Sequence, residues 1–195
     1  MARILARRFG VTAYHYDYHD ARGHNDRRVA RRAEVGEPIA GPDPEEMWVR
    51  HSPPWMAQHA LDDFSVRFEW ALDDLRALVA GRPILAEGWG LRPDLVAPLL
   101  DSPRRMIVMV PTEEFRQRQL RDLPRARAHH YQVSDPEHGQ RNRVERDRLI
   151  AADVEAAARR HSIRVLWVDG SRDAEQVATL VADHFAAYLA TTTAG

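Results

Sequence analysis

Short, solidly apolar runs alternate with helical segments along this chain, and the alternation constrains its fold more than any other feature. The runs ILAEG, MIVMV and IRVLWVDG occupy residues 84–88, 106–110 and 163–170. Apolar runs without polar alternation indicate strands buried on both faces, as in a parallel sheet covered by helices. With a shorter candidate, VTAYHYD at 11–17, they predict an α/β domain. Right-handed crossovers would make the sheet doubly wound, with helices on both faces.

The segments between these runs carry helical periodicity and helix-stop signals. Residues 2–9 predict a first helix that ends at Gly10, since glycine suits the left-handed conformation of a C-terminal cap. Residues 18–43 are rich in Arg, Gly, Pro and Asp and predict a long loop with at most a broken helix. Residues 123–139 predict a second polar loop. Further helices are predicted at 44–51, 55–79, 93–101, 112–122, 140–161 and 173–190.

Composition excludes several classes of function. The chain has no cysteine, which excludes disulfides, thiolate metal sites and cysteine nucleophiles. All 28 basic residues are arginine, so no lysine can bind phosphate, form a Schiff base or act as a base. The formal net charge of −1 indicates neither a nucleic acid nor an anionic membrane as partner. We expect one cytoplasmic domain over residues 1–195, with the oligomeric state unspecified.

Polar and acidic residues follow the predicted strands. In an open parallel sheet the ligand binds beyond the carboxyl ends of the strands. Glu87 has the sharpest functional interpretation, because a carboxylate that ends an apolar strand is costly without a partner. Asp17 could instead be a turn-forming aspartate. The residues at these ends are Asp17, Glu87 with Gly88, Thr112, and Asp169 with Gly170.

The order of elements resembles the nucleotide-kinase-like family of P-loop NTPases, which includes adenylate, shikimate, gluconate and uridine kinases. LARRFG before a strand ending in Asp17 is similar to the family's first helix and second strand, and ILAEG to its third strand. The family's strand and arginine-bearing helix before the lid are resembled by MIVMVPTEEFRQRQLR. Its last strand and closing helix are resembled by VLWVDGSRDAEQVATLVADHF. The resemblance covers nearly the whole chain and implies phosphoryl transfer from ATP, with Mg²⁺, to a small molecule or nucleotide. It implies an acceptor-side helical insert at 18–83 and an arginine-rich lid at 112–139.

The family motif G-x-x-x-x-G-K-[ST] has no copy in this chain. In the family it follows the first strand, and its amides, lysine and hydroxyl bind the phosphates and magnesium. That first strand is central in the family's sheet, between the strands that correspond here to 84–88 and 106–110. We therefore expect a truncated N-terminus and no kinase turnover by residues 1–195. Direct hydrogen bonding between those two strands would exclude the resemblance. The alternative is a non-catalytic protein that binds a ligand or partner on a degenerate form of the fold.

The resemblance also implies roles for individual residues. Carboxylates would bind or deprotonate the acceptor, with Glu87 also holding Mg²⁺ through water, and arginine forks would bind phosphate oxygens. For any single lid arginine, a solvated helix surface remains the alternative. The implied catalytic residues are Asp17, Glu87, Arg116 and Arg121. The implied acceptor-binding residues are Asp17, His19, His24 and Arg28. The implied nucleotide-binding residues are Arg118, Arg125, Gly170 and Ser171.

A histidine- and aspartate-rich segment supports a third hypothesis, a metal-dependent hydrolase. Side chains at alternate positions can converge on one face of a strand. The spacing matches no specific metal-site template, so a solvated segment or an acceptor site is favoured. The residues concerned are His15, Asp17, His19, Asp20, His24 and Asp26.

Overall fold

A computed structural model describes residues 1–123 and 132–189 of the chain as an α/β fold. The strands in this part of the chain are β1 Thr12–His15, β2 Ile84–Glu87, β3 Ile107–Pro111 and β4 Arg164–Val168. The α-helices are α1 Ala2–Phe9, α2 Asn25–Val35, α3 Pro53–Ala77, α4 Pro93–Val96, α5 Glu113–Asp122, α6 Pro136–Arg160, α7 Ala174–His184 and α8 Ala186–Leu189. Shorter helical pieces are Tyr16–Tyr18, His19–Gly23, Glu46–Arg50, Ala97–Leu99 and Pro103–Arg105.

Local sequence signals determine several helix ends. Gly10 follows α1 with φ 65°, the left-handed conformation predicted for it. Thr112 begins α5 as predicted, since its Oγ1 accepts a hydrogen bond from the amide of Phe115 at 3.3 Å. Asp173 and Gln176 form a reciprocal capping box at the start of α7.

Two local predictions are wrong. Residues 18–35 are almost entirely helical, so the predicted loop at 18–43 is confined to its last residues. The helix predicted at 55–79 begins two residues earlier, with Pro53 and Pro54 in the first turn of α3. Proline suits the first helical turn because that turn needs no amide donors.

The strands form two separate parallel pairs. β1 pairs with β2, which places His15 opposite Glu87, and β3 pairs with β4, which places Val110 opposite Trp167. Within the described residues, β2 and β3 are not hydrogen-bonded to each other. The direct pairing that would exclude the kinase resemblance is therefore not found.

One helical layer covers both strand pairs on the same face. Leu5 of α1 and Val181 of α7 belong to one buried cluster. Leu85 of β2 and Ile107 of β3 both pack against that cluster. The two pairs therefore lie side by side beneath α1 and α7.

A second layer, made of α3 and α6, covers the opposite face. Val108 and Val110 of β3 are in a cluster with Ala158 of α6, while Tyr14 of β1 is in one with Ala71 of α3. The two helices also contact each other. Helices thus cover both faces of the strands.

The strands are less buried than their apolar composition predicts. Ile84, Met109 and Trp167 are 37%, 39% and 45% exposed. Each strand in a two-stranded pair has an open edge, and side chains near that edge remain accessible to solvent. Among the described residues, no helix is both long and apolar enough to cross a lipid bilayer.

Candidate functional site

Two carboxylates predicted from the sequence meet at the carboxyl end of the β1–β2 pair. Glu87 ends β2, and its Oε1 lies 2.5 Å from Nδ1 of His15 on the neighbouring strand. Asp17 lies in the helical turn just beyond β1, not at the strand end as predicted, and its Oδ1 accepts the amide hydrogen of Trp89 at 3.1 Å. Gly88 has φ 143°, and a Cβ there would lie 2.9 Å from Oδ1 of Asp17. Glycine therefore permits the close approach of the two segments.

The environment of Asp17 favours its protonated form. Burial raises the pKa of Asp17, and the negative charges of Glu87 and Asp20 raise this pKa further. The amide of Trp89 and the nearby His15 act in the opposite direction without cancelling the rise. A carboxylate with a raised pKa is a better proton acceptor near neutral pH, so Asp17 is a candidate general base.

An aromatic and guanidinium wall flanks these carboxylates. Trp89 is 42% exposed and packs edge-to-face on the fully buried ring of Phe64, with 4.7 Å between ring centroids. The guanidinium of Arg146, from α6, lies 5.7 Å from the ring of Trp89 and 4.8 Å from that of Trp48. Asn142, one turn earlier on α6, donates a hydrogen bond to the backbone carbonyl of Trp48 at 3.0 Å.

The sequence interpretation missed Trp89 and Arg146 of this wall. Trp89 lies between two glycines directly after the strand-end acid, a position that could have indicated an exposed aromatic at the site. Arg146 lies on a helix with neighbouring acids, a pattern typical of a salt-bridged surface residue. It does pair with Asp147, yet its side chain is only 15% exposed, and no local signal indicates its contact with two tryptophans.

The histidines predicted to bind the acceptor belong to a network on Asp74 of α3. Nε2 of His24 lies 2.8 Å from Oδ2 of Asp74, and the hydroxyl of Tyr14 donates to the same oxygen at 2.9 Å. His19 stacks on Tyr14, with Nδ1 3.7 Å from Asp74. Burial would raise the pKa of Asp74, but the hydrogen bonds from Tyr14 and His24 outweigh it and lower this pKa. His24 is buried, whereas 41% of the His19 side chain is exposed.

Arg28, also predicted to bind the acceptor, belongs to a separate ionic network. Its Nη1 donates to the backbone carbonyl of Asp20 and lies 3.3 Å from the Asp20 carboxylate. Arg67 of α3 donates to the other carboxylate oxygen at 2.7 Å. The histidine and aspartate residues between 15 and 26 therefore form separate contacts. No group of three or more metal-ligating side chains is found among the described residues.

The predicted nucleotide-binding residues Arg118, Gly170 and Ser171 come together beside β4. Nη2 of Arg118 donates to the carbonyl of Asp169 at 2.9 Å. The amide and hydroxyl of Ser171 both bond Oδ1 of Asp169, and these hydrogen bonds lower the pKa of that carboxylate. Gly170 has φ 77°. A shallow depression lies beside this loop and includes Trp167.

The other predicted lid arginines lie apart from this loop or outside the described residues. Nη1 of Arg116 lies 3.4 Å from the carboxylate of Glu113 on the same helix. Arg121 is exposed in the last turn of α5. Arg125 lies outside the described residues.

No family model, curated protein or solved structure matches this chain.

Proposed function

We propose that this chain is the acceptor-binding and lid part of a kinase-like phosphotransferase, which transfers the γ-phosphoryl group of ATP to a small molecule. The strand order is the main observation that supports this proposal. Two parallel pairs lie beneath the same helices, and β2 and β3 are not bonded to each other. Buried backbone amides and carbonyls are costly when unpaired. One additional parallel strand between β2 and β3 would complete a doubly wound, five-stranded sheet of the kind that the P-loop kinase resemblance implies.

The carboxyl end of this completed sheet would contain the reaction site. Asp17, with its raised pKa, would accept the proton of the acceptor hydroxyl. Mg²⁺ is usually bound through one or two carboxylates together with waters and substrate phosphates, so Glu87 would hold it through water. When bound, Mg²⁺ would neutralise phosphate charge. His15 would orient Glu87 through their 2.5 Å contact.

The phosphates of ATP would need a further binding element. A Walker-type loop supplies backbone amides and a lysine, and this chain has neither the motif nor a lysine. The loop would therefore come with the additional strand, and Arg118 would lie beside the nucleotide. Dependence on ATP fits a cytoplasmic location.

The experiment compares residues 1–195 with a longer protein that also contains the residues encoded directly upstream. The longer protein should transfer phosphate from [γ-³²P]ATP to an acceptor pool, and residues 1–195 should not. In the longer protein, Asp17→Asn should lower kcat by at least about 100-fold, as loss of general-base catalysis does. The matched control is Asp26→Asn, an exposed acid in the same segment, which should leave kcat unchanged.

Two results would contradict the proposal. One is rapid phosphoryl transfer by residues 1–195 alone. The other is an upstream sequence without an apolar strand and a GKS or GKT motif. The second result would favour the alternative, a non-catalytic binding protein that needs no ATP, in agreement with the absence of lysine from the chain.

A further inference from the structure

The side-chain amide of Asn142 joins α6 to the helical piece Glu46–Arg50. Its Nδ2 donates a hydrogen bond to the backbone carbonyl of Trp48 at 3.0 Å and lies 3.1 Å from Nε2 of His138, one turn earlier on α6. A carbonyl oxygen only accepts hydrogen bonds, so the nitrogen of this amide, and not its oxygen, must face Trp48. The second hydrogen on that nitrogen is then available to His138. Nε2 of His138 must therefore be the acceptor, which requires a neutral imidazole with its proton on Nδ1.

Protonation of His138 is incompatible with this bridge. It would place a hydrogen on Nε2, so that two donors would face each other across 3.1 Å. The contact would have to break, and one hydrogen of the Asn142 amide would lose its partner. Asn142 is only 7% exposed, so water replaces that partner poorly. The bridge from α6 to Trp48 would therefore be weaker when His138 is charged.

The charged groups around His138 act in both directions. On its own helix, Oδ1 of Asp135 accepts the amide hydrogen of His138 at 2.9 Å, and this negative charge favours the protonated imidazole. α3 and α4 pack on α6 at Ile150, about three turns further along. Asp135 therefore favours protonation, and the contact with Asn142 opposes it. The other charged or titratable groups in the first turns of α6 and in residues 45–51 have partners of their own: Glu137 with Arg141, Arg143 with Gln140, Arg146 with Asp147, Glu45 with Ser134, Glu46 with Arg50, and His51 stacked on Trp55.

We propose that His138 is a pH-sensitive contact, which holds the piece Glu46–Arg50 on α6 while it is neutral and loosens that piece when it is protonated. The piece lies between α2 and α3. All residues of α2 are at least partly exposed, so α2 adds little to the attachment of this part of the chain. Histidine ordinarily changes its charge between about pH 5 and 8, so the change falls in the physiological range. Loosening of this piece requires neither ATP nor an acceptor and is independent of the proposed function.

Hydrogen–deuterium exchange of residues 1–195 at about pH 7.5 and about pH 5.5 would measure this loosening, since histidine titrates between these values. The peptide over residues 43–52 contains two amides bonded within the segment, Met47 to the carbonyl of Asp43 and His51 to that of Glu46. Division by the exchange rate of an unstructured peptide at the same pH gives a protection factor. We expect protection of this peptide to be about 2- to 12-fold lower at the lower pH, the effect of losing one hydrogen bond. A peptide over β3 is the internal control and should keep its protection.

Variants then assign the response to His138. In His138→Gln the side-chain oxygen can accept from Asn142 at either pH, so protection of residues 43–52 should be equal at the two values. Asn142→Asp should reverse the response of the parent, because a protonated imidazole donates to a carboxylate. The matched control is His161→Gln, at the other end of α6, where Nε2 of His161 lies 2.8 Å from Asp94. This control should respond to pH as the parent does. Circular dichroism and thermal unfolding would establish that each variant is folded.

Four results would overturn this role of His138. They are equal protection of residues 43–52 in the parent at the two pH values, a fall in His138→Gln as large as in the parent, a response of Asn142→Asp in the parent's direction, and an equal loss of protection in β3, which would indicate a global change. If Asn142→Asp does not fold, His138→Gln and His161→Gln decide by the same comparison. None of these results bears on phosphoryl transfer, which the longer protein tests.

Discussion

Replacing Asp20 by alanine should destabilise the protein substantially, because one buried carboxylate binds two arginines. Asp20 is only 7% exposed. It accepts hydrogen bonds from Arg67 of α3 and Arg28 of α2. The change would remove the carboxylate that two guanidinium groups share, whose side chains are 13% and 21% exposed. Arg67 would keep its 3.4 Å ion pair with Asp63, and Arg28 its hydrogen bond to the backbone carbonyl of residue 20.

The magnitude follows from the degree of burial. Removing one partner of a fully buried ion pair costs about 3–5 kcal/mol. Because both arginines keep some contact with water and one other partner each, the lower end applies, and we expect a loss of about 3 kcal/mol in the free energy of unfolding. For a chain of this length each kcal/mol lowers Tm by about 2–4 °C, so Tm should fall by about 6–12 °C.

Urea denaturation and differential scanning calorimetry at pH 7 would measure this loss. The control Asp26→Ala changes an exposed acid in the first turn of α2 and should cost less than about 1 kcal/mol. The double variant Asp20→Ala/Arg67→Met should recover part of the loss, because an apolar side chain replaces the unpaired charge. A fall in Tm for Asp20→Ala no greater than that for Asp26→Ala would refute the reasoning.

Three further predictions concern backbone conformation and pH. Gly170 and Gly36 both have positive φ, but only Gly170 is packed against Arg118. In urea denaturation, Gly170→Ala should therefore lower the free energy of unfolding by at least about 1 kcal/mol more than Gly36→Ala does. Equal losses for the two variants would contradict this. The pKa of Asp17 is raised in the folded protein, so ionisation of Asp17 opposes folding. The contribution of Asp17 to the free energy of unfolding therefore declines as pH rises from about 3.9, the pKa of an unfolded aspartate, through the pKa of Asp17 in the folded protein. Asp17→Asn should therefore gain stability relative to the parent over that window, and a constant difference would argue against it. Asp74 has a lowered pKa, so its contribution is present above about pH 3.9 and is lost as pH falls through the folded pKa. Asp74→Asn should cost about 1–3 kcal/mol at pH 7 and less at pH 3, as measured by urea titrations.

The helices that sequence patterns predicted well are those with local signals. Thr112 and Gly10 act within a few residues of themselves, so their roles are visible in the sequence. The segment 18–35 has no apolar periodicity, and it was predicted as loop. It is helical because contacts from distant α3 hold it: Arg67 binds Asp20, and Asp74 binds His24.

The candidate site was predicted in part. Asp17 and Glu87 could be identified because carboxylates that follow apolar strands meet at one edge of a parallel sheet. The sequence did not predict that His24 and Arg28 belong to two separate networks. Their partners, Asp74 and Asp20, lie 50 and 8 residues away, and no local sequence signal marks either acid as a partner. Arg146 was missed for the same reason, because its contacts with Trp48 and Trp89 join three separate segments.

The sequence by itself determined where the strands and capped helices lie, because apolar runs and cap residues act through neighbours on the chain. Only the tertiary structure decided that β1 pairs with β2 and β3 with β4, and that β2 and β3 are not hydrogen-bonded to each other. It also decided that the amide of Trp89 reaches Asp17 across 72 residues. Such contacts depend on how the helices pack over the strands, and helix packing is a property of the whole core rather than of any short segment.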